Sequence, residues 1–211
     1  MQLRYNMPVE IFYTVVPLIL VLGFFAFTAR EQAKVEHNFA AEDVDVHIEV
    51  YGKQWAWDFQ YNGSDCNDTE ESVWTMGVQA QTDAQGNITT ELPTLVLPVN
   101  ETVKLKLVSR DVIHSFWIID FLYKKDMYIG KDNYWSFTPT RVGEYDGKCA
   151  ELCGQYHSMM LFKVKVVEPA EYEQYLESLR AADQTGDIND AYDRLQNLPG
   201  TGASSTSEGE H

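Results

Sequence analysis

At 211 residues the chain has room for one membrane segment and one compact domain, and a mean hydropathy of -0.31 excludes a protein with many membrane spans. Its 32 acidic residues outnumber 16 basic ones, for a formal charge of -16. That balance argues against nucleic acid, which needs clustered Lys and Arg, and suits steering of a basic partner, although a solvated acidic surface would look the same.

The first predicted element runs over residues 9–29, VEIFYTVVPLILVLGFFAFTA, with Glu10 as its single charge. About 20 apolar residues at 1.5 Å per residue match a hydrocarbon core of roughly 30 Å. The segment is too long for a signal peptide and lacks a small-residue cleavage site, so it reads as one transmembrane helix. Pro17 lies mid-span, where a membrane helix tolerates it if neighbours satisfy the freed carbonyl. Arg4 on one side and Arg30 and Lys34 on the other leave the orientation weakly specified.

After a charged linker the hydrophobic period becomes two. Val46, Ile48 and Val50 share one face, and Trp55, Trp57, Phe59 and Tyr61 alternate with Gln54, Ala56, Asp58 and Gln60. Further short strands are predicted at 94–99, 103–108, 112–119, 134–138 and 161–167. Many short strands separated by Gly, Pro and Asn indicate a mainly β fold, a sandwich or barrel. The stretch 62–91 is acidic, with scattered apolar residues, and reads as a long mobile insertion carrying Cys66 as a free thiol or a link to another chain. Tyr172, Tyr175, Leu176 and Leu179 at helical spacing predict a terminal helix over 169–183. The expected organisation is a membrane helix within 1–30, a linker at 31–45, a β domain at 46–168, a helical segment at 169–198 and a disordered tail at 199–211.

The chemistry concentrates in Cys149-Ala-Glu151-Leu-Cys153-Gly-Gln-Tyr-His157-Ser-Met-Met160, with His114 on an earlier strand. Thiolate, imidazole and thioether together select a copper-type metal over magnesium or calcium. Two cysteines four apart on a loop could place both sulfurs between two metal ions, each completed by one histidine and one weak axial ligand. Such bridging spreads an unpaired electron over both ions, so the ligands move little when an electron arrives or leaves. A structural zinc site would not need Met160 and usually shows closer cysteine spacing. A Cys149–Cys153 disulfide leaves the histidines unexplained, and a single-copper blue site needs one cysteine. His37, His47 and His211 have no co-ligand nearby in sequence.

This pattern, Cys-x-Glu-x-Cys-Gly-x-x-His-x-x-Met after an upstream His-Ser, resembles the binuclear copper motif of cytochrome c oxidase subunit II. The resemblance covers roughly 8–179, interrupted by the insertion, and implies a cupredoxin-like Greek-key β-sandwich. It implies that Cys149 and Cys153 bridge two coppers, that His114 with Met160 completes one, and that His157 with the Glu151 carbonyl completes the other. The Glu151 carboxylate would help hold magnesium or manganese shared with subunit I. Trp55 would be the surface tryptophan that receives the electron, with strand packing left for Trp57, Phe59 and Tyr61. The stretch from Glu10 to Pro17 is similar to the family's second membrane helix, whose glutamate stands at the mouth of a proton channel in the partner subunit. A glutamate at a helix end is otherwise an ordinary boundary residue.

Departures accompany the match. The family's first membrane helix has no counterpart here, as expected of a processed chain or part of one. Asp126-Met-Tyr-Ile129-Gly130-Lys131 replaces the Pro-Gly-Arg that many members carry after an aspartate. No Cys-x-x-Cys-His is present, so no c-type haem is fused to the chain. The acidic insertion is similar to that of actinobacterial members, where the oxidase associates with a cytochrome bc complex bearing the donor cytochrome c.

The expectation is therefore an electron-accepting subunit of a proton-translocating oxidase, in a bacterial plasma membrane with its copper domain outside the cytoplasm. Its partners would be subunit I, other oxidase subunits, cytochrome c and lipid. A membrane-tethered copper-delivery protein is the alternative from another class. The related domain of nitrous-oxide reductase belongs to a soluble, histidine-rich enzyme, and quinol-oxidase subunit II lacks the copper cysteines.

Overall fold

The structure is a computed structural model and describes residues 4–193. It divides between His37 and Asn38 into two units. The first is helix α1 (Met7–Val35), long and apolar enough to cross a membrane, with Pro17 inside it. Its N-terminus is closed reciprocally: the Asn6 side chain accepts from the Val9 amide at 3.4 Å, and Glu10 Oε1 accepts from the Asn6 amide at 3.0 Å. The helix continues to Val35, past the point where the linker was expected. Residues 30–35 contain no helix breaker, and Glu31 pairs with Lys34 one turn on.

Among the described residues the second unit holds ten strands: β1 (Val46–Lys53), β2 (Ala56–Asn62), β3 (Val73–Met76), β4 (Thr94–Pro98), β5 (Val103–Ser109), β6 (His114–Ile118), β7 (Tyr123–Met127), β8 (Asn133–Phe137), β9 (Gly143–Cys149) and β10 (Leu161–Val167). They form two five-stranded sheets, ordered β3-β2-β1-β5-β8 and β4-β10-β9-β6-β7. Each sheet is mixed, because β1 runs parallel to β5 and β4 parallel to β10. Ile48, Val50, Trp57, Phe59, Leu105 and Leu107 from one sheet meet Phe116, Phe162, Val164 and Leu97 from the other. Removing these faces from water drives the sandwich together. At its centre Phe116 stacks on Phe162 at 4.6 Å, and Trp57 packs edge-on against both. Helix α2 (Pro169–Ala181) buries Tyr172 and Leu179, with both Tyr172 and Tyr175 against Tyr61.

The other face of the first sheet carries its polar residues. Polar residues that alternate with apolar ones ordinarily mark a water-facing side, yet His47, Glu49, Lys53, Asp58 and Gln60 are all buried. The cover comes from two places. The insertion carries β3, which pairs with β2, and buries Cys66 in what was read as a mobile loop. The chain after α2 then runs beside β3, where Gln184 O accepts from the Trp74 amide, and leads into a short helix, α3 (Ile188–Ala191). Beneath this cover Lys53 pairs with Asp58 at 2.7 Å, and Arg110 Nε lies 3.7 Å from the same carboxylate. Breaking such a fully buried pair costs about 3–5 kcal/mol, because one charge is left uncompensated. The expected tail from 199 onward lies outside the described residues.

Candidate metal centre

Two separate pieces of chain build the site. His114 opens β6, and Cys149 closes β9, the strand hydrogen-bonded to β6. The loop after β9 carries Cys153 and a 3₁₀ turn (His157–Met159), then returns into β10 through Met160. The Cys149 amide donates to Met160 O at 3.0 Å, tying the ends of this loop together. All four of His114, Cys149, Cys153 and Met160 are buried, whereas His157 is half-buried.

The donor atoms converge. Among the described residues, His114, Cys149 and Cys153 offer ligand atoms within 4.8 Å of one another. Cys149 Sγ lies 3.8 Å from His114 Nδ1 and 3.2 Å from the Glu151 carbonyl oxygen. Cys153 Sγ lies 3.4 Å from His157 Nδ1 and 3.7 Å from Met160 Sδ. Every residue predicted to ligate is thus brought together, and Glu151 enters through its carbonyl while its side chain is exposed. Two sulfurs, two imidazole nitrogens, a thioether and a carbonyl form a donor set that suits soft, copper-type ions.

The electrostatics favour a deprotonated sulfur. A hydrogen bond from Cys153 is the largest influence on Cys149; with help from His114 and backbone groups it overcomes burial and holds the thiol down at about 3. Cys153 is pushed up, first by donating to Cys149 and then by burial. A thiolate is the form that binds metal. Burial alone would lower the His114 pKa, but its hydrogen bonds to Asp111 and Cys149 outweigh that and raise it.

Sequence reasoning missed the residues behind the ligands. Asp111 Oδ1 sits 2.8 Å from His114 Nε2, which directs Nδ1 toward the sulfurs. Its other oxygen accepts from the Gln54 amide at 2.7 Å. A carboxylate three residues before a candidate ligand was the available signal. Trp57 Nε1 donates to Met160 O at 3.2 Å, so a core tryptophan also braces the ligand loop.

Trp55 lies in the turn between β1 and β2, against the ligand loop. Its Nε1 donates to Cys153 O at 3.2 Å, Gln54 Nε2 donates to the same oxygen at 2.8 Å, and Tyr156 packs edge-on at 5.0 Å. Gly154 makes this approach possible. Its φ of +124 disfavours a side chain, and a Cβ there would come within 3.1 Å of both Gln54 and Trp55. Glu10 belongs to the other unit, where its observed contact is the helix cap.

Comparison with known proteins agrees with this architecture. Residues 46–167 match the family model described as cytochrome C oxidase subunit II, periplasmic domain. The chain is 43% identical over 208 residues to a probable cytochrome c oxidase subunit 2 of Streptomyces avermitilis, covering 88% of this chain and 64% of that protein. It is 33% identical to the cytochrome c oxidase subunit 2 of Corynebacterium diphtheriae, covering 83% and 59% respectively. It therefore spans less than two thirds of these relatives. The crystal structure of the periplasmic domain of subunit II of cytochrome oxidase from Bradyrhizobium japonicum superposes with a TM-score of 0.54 at 28% identity, over 66% of this chain and 96% of that one. With the sandwich, the ligand loop and the family match in agreement, the chain belongs to the cytochrome c oxidase subunit II family.

Proposed function

We propose that this chain is the copper-carrying subunit of a haem–copper terminal oxidase, taking electrons from cytochrome c and delivering them to haem in subunit I for oxygen reduction coupled to proton pumping. The convergence of two buried cysteine sulfurs with two imidazole nitrogens and the Met160 thioether carries the reading. Cys149 and Cys153 would bridge two coppers, with His114 and Met160 on one and His157 and the Glu151 carbonyl on the other. When bound, a copper pair of this kind supplies a one-electron store that charges and discharges with little ligand movement. The protein's own part is to keep a thiolate available, orient His114 through Asp111, and bury the sulfurs from water. Trp55, hydrogen-bonded to the peptide of a ligand, would face the donor. The exposed Glu151 carboxylate would contribute to a magnesium or manganese ion shared with subunit I. The helix would lie in a bacterial plasma membrane with the copper domain on the extracytoplasmic side.

Metal analysis and electron paramagnetic resonance of the copper-loaded chain test this. Two coppers per chain, with hyperfine structure from two equivalent nuclei, are expected, and Cys149→Ser or Cys153→Ser should each abolish the shared-valence signal. One copper, or zinc alone, would refute the proposal; two coppers that exchange freely would favour a delivery role.

A further inference from the structure

The buried face of the first sheet leads from residues 187–192 to the candidate metal site. Arg110, between β5 and β6, is gripped by residues 187–192. Its guanidinium is sandwiched between the rings of Tyr51 and Tyr192, at 4.1 and 4.0 Å from their centroids. Its Nη1 donates to Asn189 Oδ1 at 2.8 Å, and Asn189 Nδ2 donates onward to the Tyr51 hydroxyl at 3.2 Å. The gripping segment is itself anchored: Ile188 is fully buried, its amide donates to Gln60 Oε1 at 2.7 Å, and Asp187 caps the short helix. The next residue in the chain is Asp111, whose two oxygens hold His114 Nε2 and the Gln54 amide.

Residues 110–113 lie outside the strands, so the sheet does not fix Asp111. Its surroundings hold it instead. The Arg110 amide donates to Gly52 O, the Asp111 carboxylate accepts from the Val112 amide, and the Arg110 side chain is clamped from outside. A planar guanidinium between two aromatic faces is a directional hold that a flexible ammonium would not reproduce.

We propose that residues 187–192 form a strap that positions the metal-ligating His114 and the Gln54–Trp55 turn, acting through Arg110 and Asp111. Arg110, Asn189 and Tyr192 are thus positioning residues, and the strap ties the segment after α2 to the end of the sandwich that carries the candidate ligands. The strap is defined by contacts within the protein; its consequence for copper rests on the function proposed above.

The Gln54 and Val112 amides both donate to Asp111 and so report on its placement. Residue-resolved hydrogen exchange on the metal-free full chain in detergent is the test. In Tyr192→Ala these two amides should exchange about tenfold faster, while amides of β4 and β10 keep their rates. Tyr192→Phe, which retains the ring, should stay closer to the parent than Tyr192→Ala does, and Arg110→Lys should resemble Tyr192→Ala. Unchanged Gln54 and Val112 rates in a folded Tyr192→Ala chain would overturn the proposal. So would a uniform rise across both sheets, which would reduce the strap to general stabilisation. Should Tyr192→Ala fail to fold, Asn189→Ala removes only polar contacts and is judged by the same amides. In copper-loaded chains the histidine hyperfine couplings should change while two coppers remain bound. Failure of the parent to bind two coppers would remove the functional reading, and the exchange rates would still decide the strap.

Discussion

At Trp55 one side chain has a structural role beside its proposed role in exchange with a partner, and the two separate on substitution. Phenylalanine keeps most of the ring against Tyr156 but removes the Nε1 donor to Cys153 O. Trp55→Phe should cost about 1 kcal/mol locally. It should leave the copper resonance intact and slow electron uptake from cytochrome c by about tenfold, a barrier increase of about 1.4 kcal/mol. Unchanged stopped-flow uptake would remove Trp55 from the path. Cys66 illustrates the opposite case, a cysteine made inert by its place. Burial pushes its thiol up to about 11. A raised thiol favours the folded state below its ordinary value near 9, and that contribution is lost as pH rises through about 11. At pH 8 the native chain should therefore resist iodoacetamide at Cys66 and react there once denatured. Rapid native labelling at pH 8 would show that the covering segment opens.

At the scale of the element, α1 shows how a residue acquires a structural role beside a proposed functional one. Glu10 completes the cap with Asn6, and glutamine retains an oxygen that can accept the same amide hydrogen. Glu10→Gln should therefore preserve helix content by circular dichroism while removing an ionisable group. If Glu10 feeds protons to the oxygen-reducing site, the variant in an assembled oxidase should slow reduction of that site, with copper loading and the first electron transfer normal. Full turnover would leave Glu10 as a capping residue. The ligand loop after β9 works differently. Its span is set by the Cys149–Met160 backbone bond and by the indole of Trp57, so the strands around it dictate where the sulfurs meet.

For the whole molecule, the excess of acidic residues is the property a soluble donor would sense. With a formal charge of -16, docking of a basic cytochrome c should weaken as ionic strength rises from about 10 to 150 mM, over which the Debye length falls from about 30 to 8 Å. Binding measured across that range should show the affinity falling mainly through the association rate. Salt-independent transfer would indicate a donor held permanently in the same assembly.

Much of this was legible because the signals were local. The apolar run around Pro17, the alternation through Trp57, Phe59 and Tyr61, and the Cys149-to-Met160 motif each fit within one element or loop, where spacing alone constrains chemistry. The sequence by itself determined the mainly β class, the apolar helix and the full set of candidate ligands. It under-read β3, β7 and β9, whose residues are too polar or too few to give a clear period, it placed Cys66 in a mobile insertion, and it left open what covers the polar faces of β1 and β2. Only the tertiary structure decided those points, because burial of His47, Glu49, Asp58 and Gln60 depends on cover contributed by the insertion and by residues near 188. The same holds for Asp111, Gln54 and Arg110. Asp111 is close to His114 in sequence, but its Gln54 partner comes from the turn after β1 and Arg110's partner Asn189 from beyond α2, and no local pattern encodes contacts across 57 or 79 residues.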